Sequence, residues 1–85
     1  MAMVDRIEAA LRRAFSPQQL EIIDESEQHR GHGGFREGVP THFRVRIQAP
    51  QFAEMSRLAR HRAVHTALGA EILNEIHALA LEIEV

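Results

Sequence analysis

The 85-residue chain has no cysteine and no lysine. Without cysteine there is no disulfide framework, and nothing points to an oxidising compartment. A thiolate zinc finger or a self-contained iron–sulfur site is also excluded, because each needs several sulfur ligands from its own chain. No apolar run approaches the roughly 18 residues of a membrane span. Asp5 stands where a secretory signal would be apolar. These absences lead to the expectation of a cytoplasmic protein. All 10 basic residues are arginine, set against 12 acidic ones for a formal net charge of −2, so general affinity for nucleic acid is not implied. Arginine suits sites where a planar fork grips carboxylate or phosphate, but a GC-rich genome yields the same usage. Serine occurs only at Ser16, Ser26 and Ser56, which leaves a nucleophilic enzyme little to work with. No Walker loop, G-x-S-x-G elbow or paired catalytic carboxylates are present.

The length and a hydrophobic content of 45% fit a single small domain over residues 1–85, with a modest core. Val4, Ile7, Leu11, Ala14 and Phe15 recur at helical spacing and predict a first helix that ends at Ser16-Pro17. Leu20 and Ile22 alternate with Glu21, a first strand running out near Asp24-Glu25-Ser26. From Glu27 to Pro40 the composition changes, with four glycines in the eight positions from Gly31 to Gly38. This predicts a loop of roughly a dozen residues, where two to five are usual for a hairpin. Thr41 to Ile47 alternates as a second strand, antiparallel to the first, with Phe43, Val45 and Ile47 inward and His42, Arg44 and Arg46 outward. Ala49-Pro50 breaks it, and a short turn around Phe52 follows. Ser56 is a suitable N-cap for a helix from Arg57 to about Leu73, with Asn74 as its C-terminal cap. At about 100° per residue, Leu58, His61, Val64, His65, Leu68 and Ile72 share one arc of that helix. In the last strand His77, Leu79, Leu81, Ile83 and Val85 share a face opposite Glu82 and Glu84. A helix between the second and third strands implies a right-handed crossover and a parallel pair. The expected fold is an α+β sandwich, a three-stranded mixed sheet with helices on one face. On its open face Arg44 and Arg46 offset glutamates of neighbouring strands.

Six histidines carry most of the remaining chemical content. His61 reads as a packed histidine on the apolar helix face. With His65 four residues on, it also reads as a helical chelating pair, though no carboxylate stands at metalloprotease spacing. His42 reads as surface. His29 and His32 lie in the glycine-rich loop, where packing does not call for an imidazole. His77 heads the last strand and reads either as core or, if the loop folds over the rim, as a neighbour of a loop histidine. Two neutral imidazoles suit iron, zinc or copper but cannot hold a cluster unaided. Gly31-His32-Gly33-Gly34 matches the G-x-x-G of a KH loop in letters only, because that loop must join two helices and this one follows a strand.

Four ordered pieces combine into one pattern. They are Leu20-Glu21-Ile22-Ile23-Asp24-Glu25-Ser26 with His29 beyond it, Thr41-His42-Phe43-Arg44-Val45, Phe52 followed by Arg60-His61-Arg62-Ala63-Val64 and Leu68, and Ile76-His77-Ala78-Leu79. In these pieces, across nearly its whole length, the chain resembles the BolA family. The resemblance implies an α-β-β-α-α-β fold like that of class II KH domains. It implies a non-enzymatic partner of a monothiol glutaredoxin, the two proteins sharing a bridged 2Fe–2S cluster in iron–sulfur assembly, trafficking or iron sensing. Thiolates would come from glutaredoxin and glutathione. Carried over, His77 is one ligand and His29 the other, with His32 a possible substitute for His29. No cluster is expected on the protein alone, which would be a monomer or weak dimer when free. Imidazole in place of thiolate raises a cluster's potential, as in Rieske centres, and makes ligation sensitive to pH near 6.5. Some bacterial members are linked to DNA binding and transcriptional regulation, and that alternative would use Arg57, Arg60 and Arg62. Glu54 replaces the family's usual glycine two residues after the phenylalanine, and if that position needs a left-handed backbone the turn must be rebuilt or strained. The tail that many members carry beyond the last strand is expected to be missing.

Overall fold

The computed structural model describes residues 2–26 and 42–85. Their elements are α1 (Met3–Phe15), β1 (Gln19–Asp24), β2 (His42–Gln48), a 3-10 helix (Pro50–Glu54), α2 (Arg57–Glu75) and β3 (Ala78–Glu84). The sheet runs β1-β2-β3, with β1 antiparallel and β3 parallel to β2. This is the expected α+β arrangement with a mixed sheet. The short element before α2 is a single 3-10 segment, because Pro50 opens it and the chain turns extended again at Met55.

Alternation builds the core. Phe43, Val45 and Ile47 of β2 are buried, and their register partners Leu79, Leu81 and Ile83 on β3 share their face. Ile7, Leu11 and Phe15 of α1 and Val64, Leu68 and Ile72 of α2 close over that face. Phe52 fills the space below, its ring centroid 5.0 Å from that of Phe15 at a 47° tilt. Arg60 fixes the 3-10 segment to α2, its Nε donating to the Phe52 carbonyl at 2.7 Å. Arg6 joins α1 to α2 through Glu75 at 2.6 Å.

Local signals end the elements largely as the residues predict. Ser16 adopts left-handed φ 47°, ψ 56° and its N–H donates to the Arg12 carbonyl at 3.2 Å, after which Pro17 bars continuation. The Ser56 side chain accepts from the Ala59 N–H at 3.1 Å and caps α2.

Three expectations along α2 and its approach need correction. Burial on α2 starts at Val64, so the first turn stands clear of the core. Leu58 is accordingly 59% exposed, and His65 also lies outside the arc. The helix does not stop at Asn74 but continues to Glu75, where buried Ile76 turns extended and is drawn into the core. It is also interrupted, because Gly69 has φ 82° and ψ 161°, outside helical space. Glu54, by contrast, needs no rebuilt turn. It lies in the 3-10 segment, and among the described residues Ser16 is the only non-glycine residue with positive φ.

Candidate functional site

The site is built at the end of the sheet where β1 stops and β2 and β3 begin. Register places Asp24 opposite Phe43 and His42 opposite Ala78, so the last residues of β1, the first of β2 and the head of β3 lie side by side. Backbone bonds hold this corner. The Glu25 N–H donates to the His42 carbonyl at 2.8 Å, and the His42 N–H donates to Ser26 Oγ at 3.2 Å. The Ser26 N–H in turn donates to Asp24 Oδ1 at 2.9 Å, an Asx-type turn that ends the strand.

His77 stands immediately before β3 and is exposed. The core reading of this residue therefore fails. Ile76 takes the core position, and the chain enters the strand only at Ala78. His42, read as surface from its alternation, is 4% exposed. At the sheet's end its outward face is covered, and its ring lies 5.2 Å from that of His77, centroid to centroid, at 53°. His29 and His32 lie outside the described residues. The sequence reading missed the His42–His77 pair, although the signal was present. Sliding the pattern of His42 to Ile47 along that of Ala78 to Ile83 puts His42 against Ala78 and so beside His77.

Beyond this corner the open face of the sheet carries a charge ladder. Arg44 binds Glu25 at 2.9 Å and Glu82 at 3.2 Å, and Arg46 binds Glu82 at 3.1 Å and Glu21 at 3.4 Å. Arg44 is held further in its charged form, first by Glu25 and then by Glu82, and Arg46 chiefly by Glu82. The same bonds, that from Arg46 foremost, lower the Glu82 carboxyl below its ordinary value. The arginines expected to offset neighbouring glutamates do so.

Arg57, Arg60 and half-buried His61 line a shallow cleft with Leu81, Glu82, Ile83 and Glu84. Arg62 is exposed. Among the described residues no group of three or more His, Asp or Glu side chains is placed to hold a metal ion, and His61 with His65 finds no third ligand. No helix among them is long and apolar enough to cross a membrane.

A family model described as BolA-like protein matches residues 11–84. The chain belongs to the BolA-like family. It is 48% identical over 83 residues to a Sinorhizobium sp. protein designated uncharacterised, in the cobS 5′ region, spanning 96% of this chain and 89% of that one. It is 38% identical over 81 residues to the Escherichia coli DNA-binding transcriptional regulator BolA, spanning 95% of this chain and 73% of that one. The BolA domain of SufE1 from Arabidopsis thaliana superposes with a TM-score of 0.82 at 33% identity, covering 99% of this chain and 92% of that one. Mammalian relatives are longer, and the chain spans only 53% of mouse BolA-like protein 1. The mouse relative is named as a BolA-like protein and the Escherichia coli one as a DNA-binding transcriptional regulator, neither as an enzyme. In this BolA-like chain the His42 corner and the head of β3 both fall inside the matched region.

Proposed function

We propose that the chain is a non-enzymatic partner of a monothiol glutaredoxin and shares with it a bridged 2Fe–2S cluster, in iron–sulfur assembly, trafficking or iron sensing. The reading rests on one observation. An exposed imidazole, His77, stands at a rim shared with Ser26 and His42, the two residues that flank the segment carrying His29 and His32. His29 is three residues beyond Ser26, and three residues span at most about 10 Å of chain. The loop ligand is thus tethered within about 10 Å of chain of Ser26, whose hydroxyl accepts from the His42 N–H. Both donors are imidazole nitrogens, which coordinate when neutral.

The donor set fits a shared group better than a resident one. The chain has no cysteine, so the sulfur ligands must come from glutaredoxin and glutathione. When bound, the cluster would supply electron-transfer and iron-delivery chemistry that no side chain of this protein has. His77 is the principal nitrogen ligand and His29 the second, with His32 its substitute. A rim position lets a partner approach without opening the core.

The test mixes the protein with a cluster-loaded monothiol glutaredoxin and follows visible absorption, circular dichroism and mass. A changed spectrum and a heterodimer are expected, both lost in His77→Ala and weakened in His29→Ala. Comparing His29→Ala with His32→Ala assigns the loop ligand. Histidine variants that keep every spectral feature overturn the ligand assignment.

A second reading, DNA binding, is favoured by the name of the Escherichia coli relative and by Arg57 and Arg60 sharing a cleft. Glu82 and Glu84 line that same cleft, and Arg60 is already engaged by the Phe52 carbonyl, so a phosphate would meet opposing carboxylates. This reading predicts a duplex shift with steep salt dependence, diminished by replacing Arg57 and Arg62 and unaffected by the histidine changes.

A further inference from the structure

We infer that His42 is a positioning residue for His77, its buried ring forming the wall against which the exposed imidazole is oriented. The inference rests on His77 being a ligand as proposed above, but its structural basis is separate. On the open face of the sheet, His42 is 4% exposed, whereas Arg44 is half-buried and Arg46 exposed. Its backbone is fixed on both sides, by the Ser26 hydroxyl at 3.2 Å and the Glu25 N–H at 2.8 Å on one and by pairing with Ala78 on the other. His77 has the opposite character, exposed and one residue outside the strand.

An exposed imidazole turns about two side-chain torsions and populates several rotamers. A neighbouring ring held in place removes some of them. The centroid distance of 5.2 Å and the 53° tilt lie within the range in which planar rings attract in a tilted arrangement. Orienting a ligand before its partner arrives removes part of the ordering cost of the complex, which for one rotamer-rich side chain corresponds to roughly a two- to tenfold change in affinity. The wall is tied through Ser26 and Glu25 to the end of β1, so the ligand's orientation is coupled to that strand terminus and not to the flexible torsions of His77 alone.

Two measurements test this on the full chain, with His42→Ala, His42→Leu and His42→Phe. In the free protein, NMR couplings and ring-to-ring contacts report the rotamer populations of His77. Titration with cluster-loaded monothiol glutaredoxin reports affinity and the visible dichroism of the complex. His42→Ala is expected to average the His77 rotamers and weaken the complex roughly two- to tenfold, and His42→Phe, which restores a buried planar ring, to recover both. His42→Leu fills the volume without a ring and is expected to behave like His42→Ala; it stands in for that variant should the alanine chain fail to fold. Wild-type rotamer populations in both His42→Ala and His42→Leu overturn the inference, as does a failure of His42→Phe to recover them. His77→Ala is titrated in parallel. An unchanged spectrum there refutes the ligand reading, whereas a lost spectrum with unaffected His42 variants refutes only the positioning role.

Discussion

Gly69 sets two backbone effects against each other, and Gly69→Ala measures which one wins. At an ordinary helical position alanine is more favourable than glycine by about 1 kcal/mol. Much of that difference is restriction of the unfolded chain, worth about 0.4–1 kcal/mol wherever the native dihedrals suit it. Here they do not, because φ 82° and ψ 161° lie in a region that is essentially glycine's alone. A Cβ built at Gly69 meets nothing within 4 Å, so no steric clash adds to the cost and the whole effect is torsional. Strain of that kind is worth about 1–3 kcal/mol. Subtracting the unfolded-state gain leaves a net destabilisation centred near about 1 kcal/mol. With a urea dependence of about 1 kcal/mol/M for a small domain, the unfolding midpoint should fall by about 1 M with its slope unchanged. The interruption also matters locally, since Ile72 and Ile76 on its far side are both buried and lead directly into His77. Amide spectra should therefore change most from residue 69 to residue 78. A variant more stable than the parent would show that α2 closes into a continuous helix at little cost, and would refute the torsional cost assigned to Gly69.

Three further outcomes are expected of the charge ladder, the core and the rim. The Glu82 carboxyl is lowered below its ordinary value of 4.5, most strongly by Arg46. A depressed carboxylate contributes stability that is fully present above the unfolded value and is lost as pH falls through the lower folded value. Glu82→Gln should therefore flatten the loss of stability below about pH 4.5 and leave the neutral-pH slope unchanged, as read by denaturation at a series of pH values; an equally steep acid limb would refute the ladder's role. Phe52→Ala removes a fully buried ring that packs on Phe15 and should cost about 3–5 kcal/mol by chemical denaturation, whereas a loss under 1 kcal/mol would mean that the 3-10 segment collapses to fill the space. His77→Ala removes an exposed side chain and should change stability by no more than about 0.5 kcal/mol, so a large loss would assign the residue to the core after all.

The strands, their pairing and the crossover were legible because each rests on a rule with one dominant cause. Phe43, Val45 and Ile47 alternate because one face is buried, and a helix between β2 and β3 forces a parallel return. The interruption at Gly69 was not legible, because a single glycine in a helical pattern is usually accommodated and only the backbone dihedrals show that it is not. Leu58 failed for a related reason: periodicity places it on the apolar arc but carries no information about how far the core extends along the helix. Glu54 was expected to strain a turn and does not, since the chain passes there as a 3-10 segment with negative φ.

The two misread histidines of the strands, His42 and His77, lie at the end of the sheet, and that position explains why. Alternation sorts residues into faces only while strands continue on both sides. At the rim a nominally outward residue such as His42 is buried, and a nominally inward one such as His77 is exposed because Ile76 has already taken the core position. A rim is also where an imidazole can be held on a rigid scaffold and still face another molecule. On the proposed reading, the position at which the face rule gives out is the one that offers the ligand, and stability and ligation would be carried by different residues. Ile76, Phe43 and Phe52 hold the core, while His77 is exposed, its ring 5.2 Å from that of His42. Moving the imidazole one position along, in the double variant His77→Ala with Ala78→His, should therefore keep the fold and lose the partner's spectrum. Ala78 is exposed, but its side chain shares the face of its register partner His42 and does not stand free of the strand. A spectrum retained in that variant would mean that any imidazole near the rim suffices, and that the orientation of His77 contributes nothing.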